Sequence, residues 1–266
     1  MIRLGITGAM GRMGQRIASL AVESGEFEIV CAMERFGHRD LEKNYGGLIG
    51  KGDIKAVLKD RIEGRPEVII DFTSPEATKY WVDQAVQENI GIVIGTTGLS
   101  EAELDHIREA GKKIPIVQAP NMSIGMNLLF RVVKEMAGAL GSDYDIEIVE
   151  QHHRFKKDAP SGSALGLLNS VAQGSGKKPK DIAIYGREGR EAPRKTGEVG
   201  VHAVRLGDTV GEHVVYFGAL GETISISHSA HSRDTFAAGA IRAAKWLTGK
   251  AAGVYSMQDV LFGHKE

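Results

Sequence analysis

Residues 150–164 read EQHHRFKKDAPSGSA. Two adjacent histidines, three cations and a Pro-Ser-Gly-Ser run could form a metal site, a charged surface loop, or a proton donor beside an anion pocket. A metal site is disfavoured. Neighbouring residues on a strand point to opposite faces, so His152 and His153 do not converge on one ion. Glu150 is in phase with His152, but no third ligand lies close by, and zinc needs three or four convergent ligands. A charged loop accounts for Arg154, Lys156 and Lys157 one by one, yet not for the DAPSGSALG that follows. There Pro160, Ser161 and Gly162 precede a helical run. Ser161, Gly162 and Ser163 would then offer N–H and O–H donors at a helix start, which suits a small carboxylate. Lys156 or Lys157 could neutralise a second carboxylate, and a histidine near its neutral pKa could donate a proton.

A second pattern lies at the other end of the chain. GITGAMGRMG, residues 5–14, spaces Gly8, Gly11 and Gly14 as G-x-x-G-x-x-G between an apolar run and a helical one. This is a variant of the dinucleotide fingerprint. One glycine allows the tight turn, one lets the backbone approach a pyrophosphate, and one lets helix and strand pack closely. The free N–H groups at the helix start face the phosphates, and Arg12 could add a cation. Glu34 ends the next apolar run, about 20 residues beyond the last glycine, where a ribose-hydroxyl acceptor belongs. Arg35 follows it. An acid there favours NAD and an arginine can pair with the 2′-phosphate of NADP, so use of both cofactors is expected. GTTG (95–98) and APNMS (119–123) each end an apolar strand. Ligands of open parallel sheets bind outside the carboxyl ends of strands, so these turns are placed to line the nicotinamide half.

Positioning such groups takes a particular order of elements. Apolar runs at 2–7, 27–34, 67–73, 91–97 and 114–120 alternate with helical segments at 12–24, 75–89 and 100–113. Ser74 and Ser100 are candidate caps and Pro75 occupies a first helical position. Strands that are apolar throughout and alternate with helices predict a parallel sheet buried on both faces, wound right-handed into a doubly wound (Rossmann) α/β domain. After a helix near 124–141 the pattern changes. DIEIVEQHH (145–153) alternates, 161–176 is helical, 186–200 is a polar glycine-rich loop, and three strand-like runs joined by short glycine turns predict antiparallel pairing. A helix closes the chain. The expectation is a dinucleotide-binding domain over 1–122, to which residues 234–266 return, and a second α+β domain over 123–233 for substrate binding and oligomerisation.

Composition narrows the function classes. A formal net charge of −1 over 266 residues gives no reason to expect nucleic acid or an anionic membrane as partner. No apolar run approaches the roughly 20 residues that span a bilayer. The N-terminus lacks the basic-then-apolar pattern of a signal peptide. Cys31 is the single cysteine, which excludes an internal disulfide and a C-x-x-C motif and fits a reducing cytoplasm. His202, His213, His228 and His231 read as packed or surface residues. The 186–200 loop could cross to another subunit or move freely on the surface.

GAMGRMG (8–14) and EQHHRFKKDAPSGSA resemble the signatures of the 4-hydroxy-tetrahydrodipicolinate reductase (dihydrodipicolinate reductase) family. DFTSPEA, GTTG, APNMSIGMN, GEHVVYFGALGE, SRDTFAAGA and YSMQDVL resemble its other segments in family order, over essentially the whole chain. The resemblance implies reduction of a cyclic dicarboxylate imine with NADPH or NADH, in lysine and diaminopimelate biosynthesis, by a cytoplasmic homotetramer without a metal. By match, His152 moves the proton and Lys156 is the second catalytic residue. His153, Ser161, Gly162, Ser163 and Arg233 bind substrate. Gly8, Ala9, Met10, Gly11, Arg12 and Met13 hold the pyrophosphate, and Glu34 and Arg35 the adenosine ribose. Gly95, Thr96, Thr97, Ala119, Pro120, Asn121 and Met122 line the cofactor near the nicotinamide. Ser163 replaces the family's threonine and keeps its hydroxyl, and Met122 stands where phenylalanine is common. Two rivals remain: a semialdehyde dehydrogenase would need a nucleophilic cysteine, and a non-catalytic nucleotide sensor would not need the His-His-Lys segment.

Overall fold

The computed structural model describes residues 1–263. In chain order the elements are β1 (Ile2–Thr7), α1 (Arg12–Ser24), β2 (Phe27–Met33), α2 (Tyr45–Ile49), β3 (Leu58–Lys59), β4 (Val68–Asp71), α3 (Pro75–Glu88), β5 (Gly91–Ile94), α4 (Glu101–Gly111), β6 (Pro115–Gln118) and α5 (Ile124–Leu140). There follow β7 (Asp145–His152), α6 (Gly162–Gly174), α7 (Pro179–Ile182), β8 (Ala183–Ile184), β9 (Val199–Arg205), β10 (Gly211–Ala219) and β11 (Glu222–Ala230), then α8 (Asp234–Leu247), β12 (Gly253–Tyr255) and α9 (Met257–Phe262). The chain divides into two compact units, Met1–Ile124 with Arg233–Glu266, and Gly125–Ser232.

The first unit is a seven-stranded sheet in the order β12-β6-β5-β4-β1-β2-β3, with every pair parallel. All four residues of β4 and of β5 are buried, which is why those runs show no alternation. The helices begin where their caps dictate. Ser74 accepts from the Ala77 N–H with Pro75 at the first turn, and Ser100 and Glu103 form a reciprocal capping box. Helix α8 packs on α1 and on β4, β5 and β6, and contributes Ala237, Ala240, Ala243, Ala244 and Leu247 to the core.

The second unit is a five-stranded mixed sheet in the order β11-β10-β7-β9-β8. The β10–β11 pair is antiparallel as the glycine turn between them predicts, but β9 and β10 are not neighbours, because β7 inserts between them and pairs antiparallel with β10. The β7–β9 and β8–β9 pairs are parallel, since the connection through α6 and α7 in the first case and the loop over 185–198 in the second bring the chain back in the same direction. Ile146, Ile148, Val199, Val201, Val215 and Phe217 form a core with Val133, Leu167 and Val171 of α5 and α6. Strand β7 alternates strictly. Ile146, Ile148, Glu150 and His152 point to the buried face. The predicted 186–200 loop ends at Glu198, where β9 begins, and it is tied to the sheet. Arg194 pairs with Asp145 and Glu147, and Arg187 with Glu147 and Glu198.

Candidate active site

In the first unit the glycine loop is shaped from behind. Gly8 has φ +58°, and a side chain there would meet Thr73. A Cβ on Gly14 would come within 2.3 Å of the Gly8 carbonyl oxygen, so α1 sits closer to the loop than any other residue permits. The Ala9 carbonyl accepts from the buried Tyr45 hydroxyl at 2.8 Å, and the Met10 carbonyl from Gln15 Nε2 at 2.7 Å. Glu34 accepts from the Met10 N–H at 3.0 Å and the Arg35 N–H at 3.2 Å. With its carbonyls tied back, the loop turns exposed Gly11 and Arg12 outward at the start of α1, and Gly11 gives no side-chain cap. This cradle suits a pyrophosphate, and an exposed Arg35 beside Glu34 suits an adenosine ribose or its phosphate. Tyr45 and Gln15 carry no motif, and sequence reasoning missed both.

At the carboxyl end of the sheet, Asp71 is 0% exposed and accepts four hydroxyl hydrogen bonds. Thr7 and Thr73 reach Oδ1 at 2.6 and 2.7 Å, and Thr78 and Thr96 reach Oδ2 at 2.6 and 2.7 Å. The Thr73 N–H also donates to Thr96 Oγ1 at 2.9 Å. The cage fixes the ends of β1, β4 and β5, and with them the turn at Gly95–Thr97. Thr96 is therefore committed inward, and any ligand contact from it comes from its backbone. A Cβ on Gly95 would strike the Phe72 ring at 2.2 Å, so this glycine serves close packing. Ala119 and Met122 are buried, Met122 in the core, while Thr97 and Pro120 are exposed. The expected apolar contact from Met122 is thus made with the protein itself in this structure.

In the second unit a charged cluster forms where three strand ends meet the start of α6. His152, on β7, lies opposite Arg205 of β9, and Glu150 opposite His213 of β10. Glu150 is 0% exposed. Its Oε1 accepts from the Ser161 N–H at 3.0 Å and from Arg205 Nη2 at 2.9 Å. Its Oε2 accepts from Arg205 Nη1 at 2.9 Å and meets His152 Nδ1 at 2.5 Å. Arg205 is itself held by the Val204 and Asp158 carbonyls. The His152 and His213 rings meet edge-on, 5.2 Å between centroids, and Ser161 Oγ lies 3.2 Å from His213 Nε2.

Electrostatics follow from these contacts. Burial works to raise the Glu150 pKa, but the Arg205, His152 and Ser161 hydrogen bonds outweigh it and hold the carboxyl below its ordinary value. Burial is also the largest influence on His152 and lowers its pKa. Glu150 opposes that shift, Lys156 and Arg205 add to it, and the net direction is down. His213 is pushed down to about 4, mainly by burial and then by His152.

The remaining predicted residues are less committed. Lys156 pairs with Asp158 at 2.9 Å. Half-buried His153 stacks loosely on exposed Phe155, with ring centroids 6.3 Å apart. Ser161 caps α6 through the Ala164 N–H, and a Cβ on exposed Gly162 would meet open space. Arg233 is exposed and belongs to the first unit. No group of three His, Cys, Asp or Glu side chains is placed to hold a metal among the described residues. Sequence reasoning left out Arg205 and took Glu150 and His213 as incidental. Period two along β7 already puts Glu150 beside His152, and only strand register brings Arg205 and His213 to the cluster.

Family models described as the N- and C-terminal parts of dihydrodipicolinate reductase match residues 2–122 and 125–261. The chain belongs to the dihydrodipicolinate reductase family. It is 45% identical over 264 residues to the 4-hydroxy-tetrahydrodipicolinate reductase of Syntrophus aciditrophicus, covering 98% of each chain. It is 45% identical over 261 residues to that of Rubrobacter xylanophilus, again covering 98% of each. A dipicolinate-bound dihydrodipicolinate reductase from a Paenisporosarcina species shares the fold with a TM-score of 0.75 at 22% identity, over 97% of this chain and 98% of the other. The semialdehyde dehydrogenase alternative also fails on chemistry. Cys31 is buried, and burial pushes its thiol up to about 11, far from a nucleophile. The family is one of pyridine-nucleotide-dependent reductases, and the glycine loop fits such a group.

Proposed function

We propose that the protein reduces 4-hydroxy-tetrahydrodipicolinate, or its dehydrated imine, to tetrahydrodipicolinate in lysine and diaminopimelate biosynthesis. The observation that carries this reading is the buried His152, held by Glu150 at 2.5 Å beside the start of α6. A reduced nicotinamide, when bound, supplies hydride to the conjugated imine. Gly8, Ala9, Met10, Gly11, Arg12 and Met13 hold its pyrophosphate and Glu34 and Arg35 its ribose. The turns at Gly95–Thr97 and Ala119–Met122 shape the place of the ring. His152 gives the balancing proton. Lys156 and the N–H groups of Gly162 and Ser163 neutralise the carboxylates, with His153 and Arg233 as further partners. Lys156 exchanges Asp158 for substrate.

Burial biases His152 toward its neutral form. A dicarboxylate brings negative charge to the ring and favours imidazolium, so substrate binding loads the proton that the reaction needs. His152→Ala should lower kcat by roughly 10²–10⁴-fold with nucleotide affinity retained. Imine-dependent oxidation of NADPH at the wild-type rate in this variant would exclude His152 as the acid.

Both nucleotides are accepted on this reading, Glu34 serving NADH and Arg35 NADPH. Comparing kcat/KM for each in wild type and Arg35→Ala tests it, and an unchanged NADPH preference removes the role of Arg35. On this reading residues 1–122 with 234–266 serve nucleotide and residues 123–233 serve substrate and assembly, whereas the compact units divide after Ile124 and at Arg233. The sheet face of the second unit turned away from its helices carries Tyr216 and Val204 at 40% and 38% exposure, a surface suited to a homotetramer. Light scattering in solution checks this, with four chain masses expected. No helix among the described residues is long and apolar enough to cross a membrane. A biosynthetic reductase of this kind works in the cytoplasm on this reading.

A further inference from the structure

We infer that Glu150 is a positioning residue: locked by Arg205 and the Ser161 N–H, it holds His152 as the Nδ1–H tautomer and commits the Nε2 edge to proton exchange. The inference rests on His152 being the proton-transfer group, and it adds which nitrogen does the work and what decides it.

The argument is one of donors and acceptors. Glu150 receives four hydrogen bonds, two at each oxygen. Three come from groups that can only donate, the two Arg205 Nη atoms and the Ser161 N–H. A carboxylate so surrounded has no reason to carry a proton of its own. The fourth partner, His152 Nδ1, must then be the donor. Neutral His152 therefore bears its proton on Nδ1, and a second proton can be taken up and released only at Nε2. Gly211 of β10 keeps that edge clear, since a Cβ there would lie 3.0 Å from His152 Nε2. The other groups facing the imidazole are His213 and Ser161, which bond each other, and Lys156 from the following loop. Arg205 thus acts on the chemistry through Glu150, from 55 residues along the chain.

Selective ¹⁵N labelling of histidine gives a direct reading, with the His152 signal identified by its loss in His152→Gln. At a pH where the ring is neutral, a protonated Nδ1 and a bare Nε2 are expected in the wild-type protein. The reverse tautomer would overturn the inference. In Glu150→Gln an amide N–H can face Nδ1, so the population should move toward Nε2–H. Its kcat should fall by about a hundredfold, with the KM for NADPH unchanged and the alkaline limb of kcat/KM moved to lower pH. Glu150→Asp should recover part of the activity. A folded Glu150→Gln with wild-type kcat and pH profile overturns the role of Glu150. If His152→Gln also keeps its kcat, the proton-transfer reading fails with it. If His152→Gln is inactive, only the positioning role fails. Should Glu150→Gln not fold, the tautomer in the wild-type protein decides.

Discussion

Among the described residues each unit buries one carboxylate completely, and the two are satisfied by opposite means. Asp71 lies among four threonine hydroxyls, all neutral and all able to turn from donor to acceptor. Glu150 lies among a guanidinium, a backbone N–H and an imidazole, of which only the imidazole can change its role. The first cage is adaptable and holds strand ends together. The second is rigid in its donors, and that rigidity determines the state of the one partner that can move a proton. Equal burial therefore says little about role, and the identity of the donors says more.

Three measurements would break or sharpen this contrast. The largest effect is expected at the charged cage. Glu150→Gln leaves the Arg205 charge without its partner and should lower unfolding stability by about 3–5 kcal/mol in urea titrations. A loss below that of Asp71→Asn would erase the distinction. Next comes pH. His213 titrates at about 4 in the folded protein, against roughly 6.5 unfolded. Its folded pKa is depressed, so above pH 6.5 both states are neutral there and stability is unaffected. As pH falls from 6.5 toward 4 the unfolded chain takes up the proton first, and stability should drop by about 3 kcal/mol. Unfolding measured across that range in His213→Gln should show a shallower fall, and an identical fall would mean His213 is not the buried neutral base. The smallest effect is expected in the hydroxyl cage. Asp71→Asn keeps the shape and the threonines can reorient, so the cost should be about 1–2 kcal/mol. A larger loss than at Glu150 would show that the hydroxyls cannot turn.

The parts legible in the sequence were those set by local rules. Apolar runs marked β1, β2, β4, β5 and β6, the caps Ser74 and Ser100 marked helix starts, and the glycines marked the loop before α1. Period two along β7 put Glu150 and His152 on one face. Parts that depend on register were hidden. Nothing local ties Arg205 to Glu150, since parallel pairing of β7 with β9 makes that contact. Of the four threonines around Asp71, Thr73 and Thr78 follow it closely in sequence, but Thr7 and Thr96 reach it only through the pairing of β1 and β5 with β4. Strand β12 has three residues at a sheet edge, too short for periodicity to reveal. His213 looked like a packing residue, and it is one, but what it packs against is His152.

The return of the chain to the first unit at Arg233 sets the order in which the molecule can be completed on a ribosome. Residues 125–232 are synthesised between β6 and α8, which takes on the order of 10 s at typical elongation rates. During that interval the sheet face that receives Ala237, Ala240, Ala243, Ala244 and Leu247 has no cover. The second unit, contiguous in sequence, has all its strands as soon as β11 emerges. The first unit is thus begun first and finished last, and its apolar sheet face is the surface a nascent-chain chaperone would meet.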